Sequence, residues 1–370
     1  MLMLKKTIAA LSLLSILAAC QNDENPSQPE PKPRQDINLT RAEQEFMDKG
    51  TDFAFRFFDQ VCSTEKEKPN VFVSPLSASL CLSMITNGAT DNTLAEMQNA
   101  LGFPANTFSL DDLNNYNQKL ISALLDLDNT TQLGIANSIW IEEGFKVYDS
   151  FVDVNKKMYD AQVQELDFTS PTAKDVINQW CATQTNNCIK EVIQEIPADA
   201  RMYLINALYF KGIWKSQFDK SATGQDNFTN VDGSQQKVAM MNQTATFNYT
   251  QTDDFSIAEL PYGNEAFSMV ILLPSGDKTL DESLPSLNYE NWKQWSKNMV
   301  GKELQIKLPR FKVEYDKELE EDMIAMGMKD AFDAYKAKFA NMSGAELYIG
   351  LLQQFTYINV DEEGTEAAAV

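Results

Sequence analysis

The sequence predicts an α+β protein in which helices pack on a large, mostly antiparallel central sheet, with smaller sheets beside it. Amphipathic helical patterns fill roughly the first hundred folded residues, and long strand-like runs dominate the rest. No regular strand–helix alternation points to a parallel sheet instead.

From Thr40 to Val61, Phe46, Phe53, Phe57 and Val61 keep to one helical face with charges between them. Asn70 to Val73 reads as a short strand. "SPLSASLCLSMITNGA" then offers a serine cap and an early proline before an apolar helix that closes near Gly88. "NTLAEMQNAL" is a second short helix ending at Gly102. "QLGIANSIWI" (132–141) reads as a strand and "AKDVINQWCATQTNNCIKEVI" as one long helix. "RMYLINALYF" (201–210) is too apolar for a solvated face, so it belongs inside a sheet. "FSMVILLP" reads as a buried strand before the turn "PSGD". "ELQIKLPRFKVEY" alternates, with Leu304, Ile306 and Leu308 on one face, and "DKELEEDMIAMGM" is a short helix.

Composition removes most chemistries. The chain has 370 residues, 31 basic and 53 acidic, for a formal charge of −22. That charge repels nucleic acid and supplies no phosphate-contacting footprint. There is no histidine, which removes Ser-His-Asp and Cys-His nucleophile activation and most zinc-site patterns. Paired carboxylates for glycoside cleavage survive in principle, yet no pair stands out from an acid-rich surface. No Gly-rich phosphate loop occurs. No catalytic residue, metal site or cofactor is therefore nominated.

Residues 1–19 have a basic start at Lys5 and Lys6, an apolar run and small residues before Cys20, the outline of a secretory signal. The ending "LAAC" resembles the lipobox of bacterial lipoproteins, which implies cleavage before Cys20 and lipid attachment to it. Residues 20–37 are polar and proline-rich and read as a flexible tether, with the folded domain spanning 38–370. Cys62, Cys81, Cys181 and Cys188 form no dense disulfide framework. Cys181 and Cys188 would lie about 10 Å apart on a shared helix, so buried free thiols are the expectation.

The end of the chain carries the functional signal. After the strand-like "QFTYINV" come acids, a glycine and alanines, "DEEGTEAAAV". As a strand this run has period two: with Glu366 facing solvent, Thr365, Ala367 and Ala369 face the core, and each is small. Gly364 supplies backbone freedom where the chain bends. Alanines alone favour helix, but the preceding β-branched and aromatic residues favour strand.

Five segments in order resemble the serpins: "NVFVSPLSASL" (70–80), "NALYFKGIW" (206–214, continuing to Phe218 and Asp219), "LPRFKVEY" (308–315), "MGMKDAF" (326–332) and "EEGTEAAA" (362–369). The resemblance covers the chain from about residue 45 to its end. It implies a protease inhibitor acting as a suicide substrate: a protease cuts an exposed loop, and the loop then inserts into the central sheet and traps the acyl-enzyme. The small inward residues suit insertion, because a large or charged one would be squeezed or desolvated while the sheet opens.

The resemblance places the reactive-loop hinge at Glu362, Glu363, Gly364, Thr365, Glu366, Ala367, Ala368 and Ala369. It places shutter positions, which control opening of the sheet, at Ser74, Ser77 and Asn206. Breach positions, where the loop first enters, fall at Trp214 and Glu362. Many serpins have a shutter histidine where this chain has Gln354, which donates and accepts but does not titrate near neutral pH. Val370 is bulkier than usual and falls on the outward face. The expected scissile bond and the closing strands lie past Val370, the bond by about nine residues or roughly 30 Å of extended chain.

The expected partners are a serine or cysteine protease outside the cytoplasm and the membrane that holds the Cys20 lipid, with the protein a monomer in the cell envelope or at its surface. The alternatives are a non-inhibitory carrier of the same fold and a lipoprotein hydrolase using carboxylates.

Overall fold

The computed structural model describes residues 31–230 and 232–370; the signal segment, Cys20 and the start of the tether lie outside them. Thr40 opens α1 (Arg41–Thr64) with a reciprocal cap, its hydroxyl accepting from the Glu43 amide while the Glu43 carboxylate accepts from the Thr40 amide. The helix buries Phe46, Phe53, Phe57 and Val61, the face that the sequence marks. Ser74 caps α2 (Pro75–Thr86), and Pro75 sits where its missing N–H is no loss. With α3 (Asp91–Ala100) and α4 (Leu110–Asp126), these helices bury a large core of Phe57, Leu80, Met84, Met97 and Leu113.

The chain continues through β1 (Gln132–Glu142), α5 (Asp149–Tyr159), β2 (Gln162–Leu166), α6 (Ala173–Gln184) and β3 (Met202–Ile213). Next come β4 (Gly224–Thr229), β5 (Gln235–Gln251), β6 (Phe255–Pro261) and β7 (Ser268–Pro274), then α7 (Leu280–Ser283) and α8 (Tyr289–Lys297). The last elements are β8 (Val300–Pro309), β9 (Phe311–Glu318), α9 (Glu320–Ala325), β10 (Gln353–Val360) and β11 (Gly364–Ala369).

The main sheet has the order β2-β1-β3-β11-β10-β9, antiparallel except for the β1–β2 pair. A second sheet runs β4-β5-β6-β7, with β8 also paired to β5. The inner face of the main sheet meets this second sheet in a cluster that includes Phe210, Ile358 and Val360 with Met241, Phe247 and Leu308. Its outer face is crossed by α6, whose Ile177 and Cys181 pack with Trp140 and Ile205.

Several sequence expectations change. Asn70–Val73 is extended but joins no ladder; its Phe72 carbonyl instead accepts from the Thr356 hydroxyl at 2.6 Å. The long helix predicted from 173 stops at Gln184, because Asn186 and Asn187 both take positive φ, 50° and 63°. Cys181 and Cys188 therefore share no helix, and both are free thiols, as are Cys62 and Cys81. "ELQIKLPRFKVEY" forms two strands in two sheets, divided after Pro309. "FSMVILLP" is an edge strand with Leu273 64% exposed rather than a buried one. The 17-residue β5 has no strong alternation and is a strand because it can pair along both edges.

Candidate functional site at the centre of the main sheet

The segment that the sequence marks as a hinge lies inside the main sheet. β11 is a central strand, paired to β10 from Val360↔Thr365 to Thr356↔Ala369 and to β3 from Gly364↔Ile213 to Ala369↔Leu208. Hairpin formation brings it back along β10, and β3 supplies the second set of partners. Both edges of its backbone are thus satisfied.

The turn that reverses the chain, Asp361–Glu363, hangs from the end of β3. The Asp361 carbonyl accepts from Trp214 Nε1 at 2.8 Å, the Glu362 carbonyl from the Phe218 amide at 3.1 Å and the Glu363 carbonyl from the Trp214 amide at 2.9 Å. Asp361 Oδ1 accepts from the Glu363 and Gly364 amides, at 2.9 and 3.2 Å, an Asx-type closure of the turn. Trp214 is 3% exposed and stacks on Tyr262, with centroids 4.4 Å apart and planes 15° from parallel.

Glu362 is 2% exposed, and its Oε1 accepts from the Arg310 guanidinium and, at 2.7 Å, from the Thr223 hydroxyl. Burial pushes its pKa up, but the Arg310 and Thr223 hydrogen bonds outweigh burial and hold the carboxyl below its ordinary value. Glu363 faces solvent and pairs with Lys220, which lowers it too. Trp214 and Glu362 therefore both lie at the Gly364 end of β11, with Trp214 bonded to the carbonyls on either side of Glu362. Their partners Tyr262 and Thr223 carry no sequence signal; Asp361 stands in "DEEGTEAAAV" and Arg310 in "LPRFKVEY", but their reach to Trp214 and Glu362 is a tertiary fact.

On β11 itself, Thr365 is 5% exposed and its hydroxyl accepts from the Tyr262 hydroxyl at 2.6 Å. Ala367 sits in register between Phe210 and Ile358, and Ala369 between Leu208 and Thr356, which puts all three on the inner face. The outward face is not simply solvated. Ala368 is 2% exposed and packs with Ile189 and Tyr209; Val370 packs with residues around α6 and the segment after it. On the outer face a small residue is thus required at Ala368, because the chain after α6 roofs the sheet there.

Gly364 differs from its sequence reading as well. Its φ is not positive; an added Cβ would lie 2.0 Å from the Gly212 carbonyl oxygen and 2.9 Å from its carbon. Glycine is needed here for close approach of two backbones. Gly364→Ala is expected to lower the urea midpoint of this chain and to raise hydrogen exchange across 364–369 at least tenfold; unchanged exchange would show that the strand can shift at no cost.

A family model described as serpin (serine protease inhibitor) matches residues 48–370. The chain belongs to the serpin family. A serpin-like protein of the archaeon Methanosarcina acetivorans is 34% identical over 324 residues, covering 86% of this chain and 75% of its own. The leukocyte elastase inhibitor of Xenopus tropicalis is 34% identical, with 86% of each chain covered. The crystal structure of tengpin, a thermophilic serpin in the latent state, is 32% identical and superposes with a TM-score of 0.81, covering 90% of this chain and 89% of that one.

In this serpin the positions compared with a shutter fall into two networks. The Ser74 amide donates to Gln354 Oε1 at 2.8 Å, Gln354 Nε2 donates to the Ser74 carbonyl at 3.0 Å, and Ser74 Oγ accepts from the Ser77 amide at 3.3 Å. One side-chain amide thereby ties β10 to the start of α2. Asn206 is separate: its Nδ2 donates to Asn137 Oδ1 at 2.8 Å, and its own Oδ1 has no hydrogen-bond partner among the described residues.

No histidine is present to titrate near neutrality. Glu362 lies below its ordinary value of 4.5 in the fold, so its contribution is complete above about pH 4.5 and is lost as pH falls through the lower folded value. The urea midpoint is expected to be flat from about pH 5.5 to 7.5 and to fall below about 4.5. A steep change inside the neutral window would contradict this reading of Gln354.

Proposed function

We propose that this serpin is an inhibitory one, a suicide substrate for serine or cysteine proteases outside the cytoplasm, with Glu362–Ala369 as the hinge of its inserting loop. The observation that carries the proposal is the fit of β11: residues Gly364 to Ala369 occupy a central slot, paired on both sides, with small or hydrogen-bonded side chains on each face. A segment able to take that position without steric or charge conflict inserts fast, and inhibition depends on insertion outrunning hydrolysis of the acyl-enzyme. The protein supplies no catalytic group and needs no cofactor; the chemistry belongs to the protease.

In this reading Ser74, Ser77, Gln354 and Asn206 resist opening of the sheet, while Trp214 and Glu362 fix the point of insertion. Cys20 carries a lipid, residues 20–37 are the tether, and the protein acts as a monomer at the cell envelope. Among the described residues no helix is long and apolar enough to cross a membrane.

The test uses this chain extended past Val370 by the loop and closing strands that the family resemblance calls for. It is incubated with elastase-, trypsin-, chymotrypsin- and papain-type proteases and run on denaturing gels. A covalent complex at the summed mass is the expected result. Cleavage of the loop with no such complex would replace the inhibitor by a carrier of the same fold.

A further inference from the structure

We propose that the turn after α6, together with Tyr209 of β3, forms an acid receptor that latches Glu366 once β11 is in the sheet. This rests on the insertion reading above and adds a recognition step to it.

Glu366 projects from the outer face of β11 and is 23% exposed at its side chain. Its Oε1 accepts from the Tyr209 hydroxyl at 2.6 Å and from Asn186 Nδ2 at 3.4 Å, with Lys211 Nζ at 3.9 Å. Asn186 Nδ2 also donates to the Tyr209 hydroxyl oxygen at 3.2 Å, so the three groups close a ring. They come from three elements: the inserted strand, the strand beside it and the chain that crosses above both. A glutamate is needed for reach, since Glu366 and Lys211 are register partners and Tyr209 is two residues along β3.

The approach of Asn186 has its own local cause. Asn186 and Asn187 both hold positive φ, a conformation that asparagine tolerates better than most residues. This reverses the chain directly after α6 and aims Asn186 at the sheet. The following Cys188 and Ile189 then pack with Ala368, the next outward residue of β11. One short segment therefore holds β11 twice, by a charged hydrogen bond and by apolar contact. The inner face of β11 restricts side-chain size, whereas this outer contact selects an acid. None of it depends on the protease or on the scissile bond.

The test is hydrogen exchange, read by mass spectrometry, in the 364–370 peptide of this chain. Tyr209→Phe and Glu366→Ala are each expected to speed exchange there about tenfold or more, with peptides from β1 and β2 unchanged. The double variant is expected to exchange no faster than either single one. Glu366→Gln, which keeps an acceptor for Tyr209 but loses the charge, is expected to fall between. Asn186→Gly, which keeps the backbone conformation, gives a second variant for the turn and a smaller increase. Strong protection in the parent chain with additive effects, or with no effect of Tyr209→Phe, would overturn the latch alone. A parent 364–370 peptide exchanging at free-chain rates would overturn the latch and the inserted strand together.

Discussion

Thr365→Arg in the extended chain is expected to turn an inhibitor into a substrate. Thr365 is 5% exposed, and its hydroxyl accepts from Tyr262, which is itself stacked on Trp214. An arginine there loses that acceptor role and places a charge where the wild type has a small, hydrogen-bonded group. Leaving the Tyr262 hydroxyl unsatisfied costs about 1–3 kcal/mol, overpacking costs about as much again, and burying an unpaired cation costs several kcal/mol. Even about 1 kcal/mol, if felt in the insertion barrier, slows insertion roughly fivefold, and two such costs together slow it more than about tenfold. The fraction of protease encounters ending in a covalent complex is expected to drop at least about tenfold, while loop cleavage continues at its former rate. Thr365→Ser, which keeps the hydroxyl, is expected to inhibit almost as the parent does. Retained inhibition at unchanged stoichiometry in Thr365→Arg would remove the inward-face argument.

Glu362→Lys is expected to have the next largest effect, and it is measurable in this chain without any protease. The substitution removes a buried acceptor for Arg310 and Thr223 and sets an ammonium beside a guanidinium. Breaking a fully buried pair costs about 3–5 kcal/mol; with Arg310 itself half-exposed, about 2–4 kcal/mol is the better expectation. The Asp361–Glu363 turn should loosen first, because its side-chain anchor is gone while its three carbonyl bonds to Trp214 and Phe218 remain. Exchange across 361–366 is expected to rise at least about thirtyfold, and the urea midpoint to fall. Glu362→Gln should do less, since an amide oxygen still accepts from Thr223. Recovery in an Arg310→Glu, Glu362→Lys double variant would assign the loss to the charge pair. An unchanged midpoint in Glu362→Lys would mean that the pair contributes nothing to holding the turn.

The two predictions draw on different kinds of legibility. Thr365 can be singled out by reading alone, since a small residue one place after a glycine, in a run of alternate small residues, marks a strand face that must be tight. Tyr262 cannot, because it lies 103 positions away in the chain and is brought there by the second sheet. The same holds for Arg310 and Glu362, and for Asn186 and Glu366. Long-range polar pairs leave no periodic trace, whereas a helix face or a strand face repeats at fixed spacing and is visible locally.

The misreadings have the same origin. Asn70–Val73 has strand-like residues yet joins no ladder, its Phe72 carbonyl being taken by the Thr356 side chain. β5 has a weak pattern yet becomes the longest strand, because partners exist along both of its sides. The outer face of β11 looks solvated by alternation alone; the segment after α6 buries Ala368, and no spacing within the last ten residues could show that.

By itself the sequence determined the fold class, the amphipathic face of α1, the cap and proline start of α2, the interior place of β3, the family and the small-residue character of the final strand. Each follows from local propensity or from motifs that are contiguous in the chain. Only the tertiary structure decided that β11 lies between β3 and β10, that Gly364 is needed for backbone approach rather than for flexibility, and that Glu362 and Glu366 each meet hydrogen-bond donors from distant segments. Those facts depend on which distant backbones and side chains are brought within hydrogen-bond reach, and sheet pairing across long separations sets that reach.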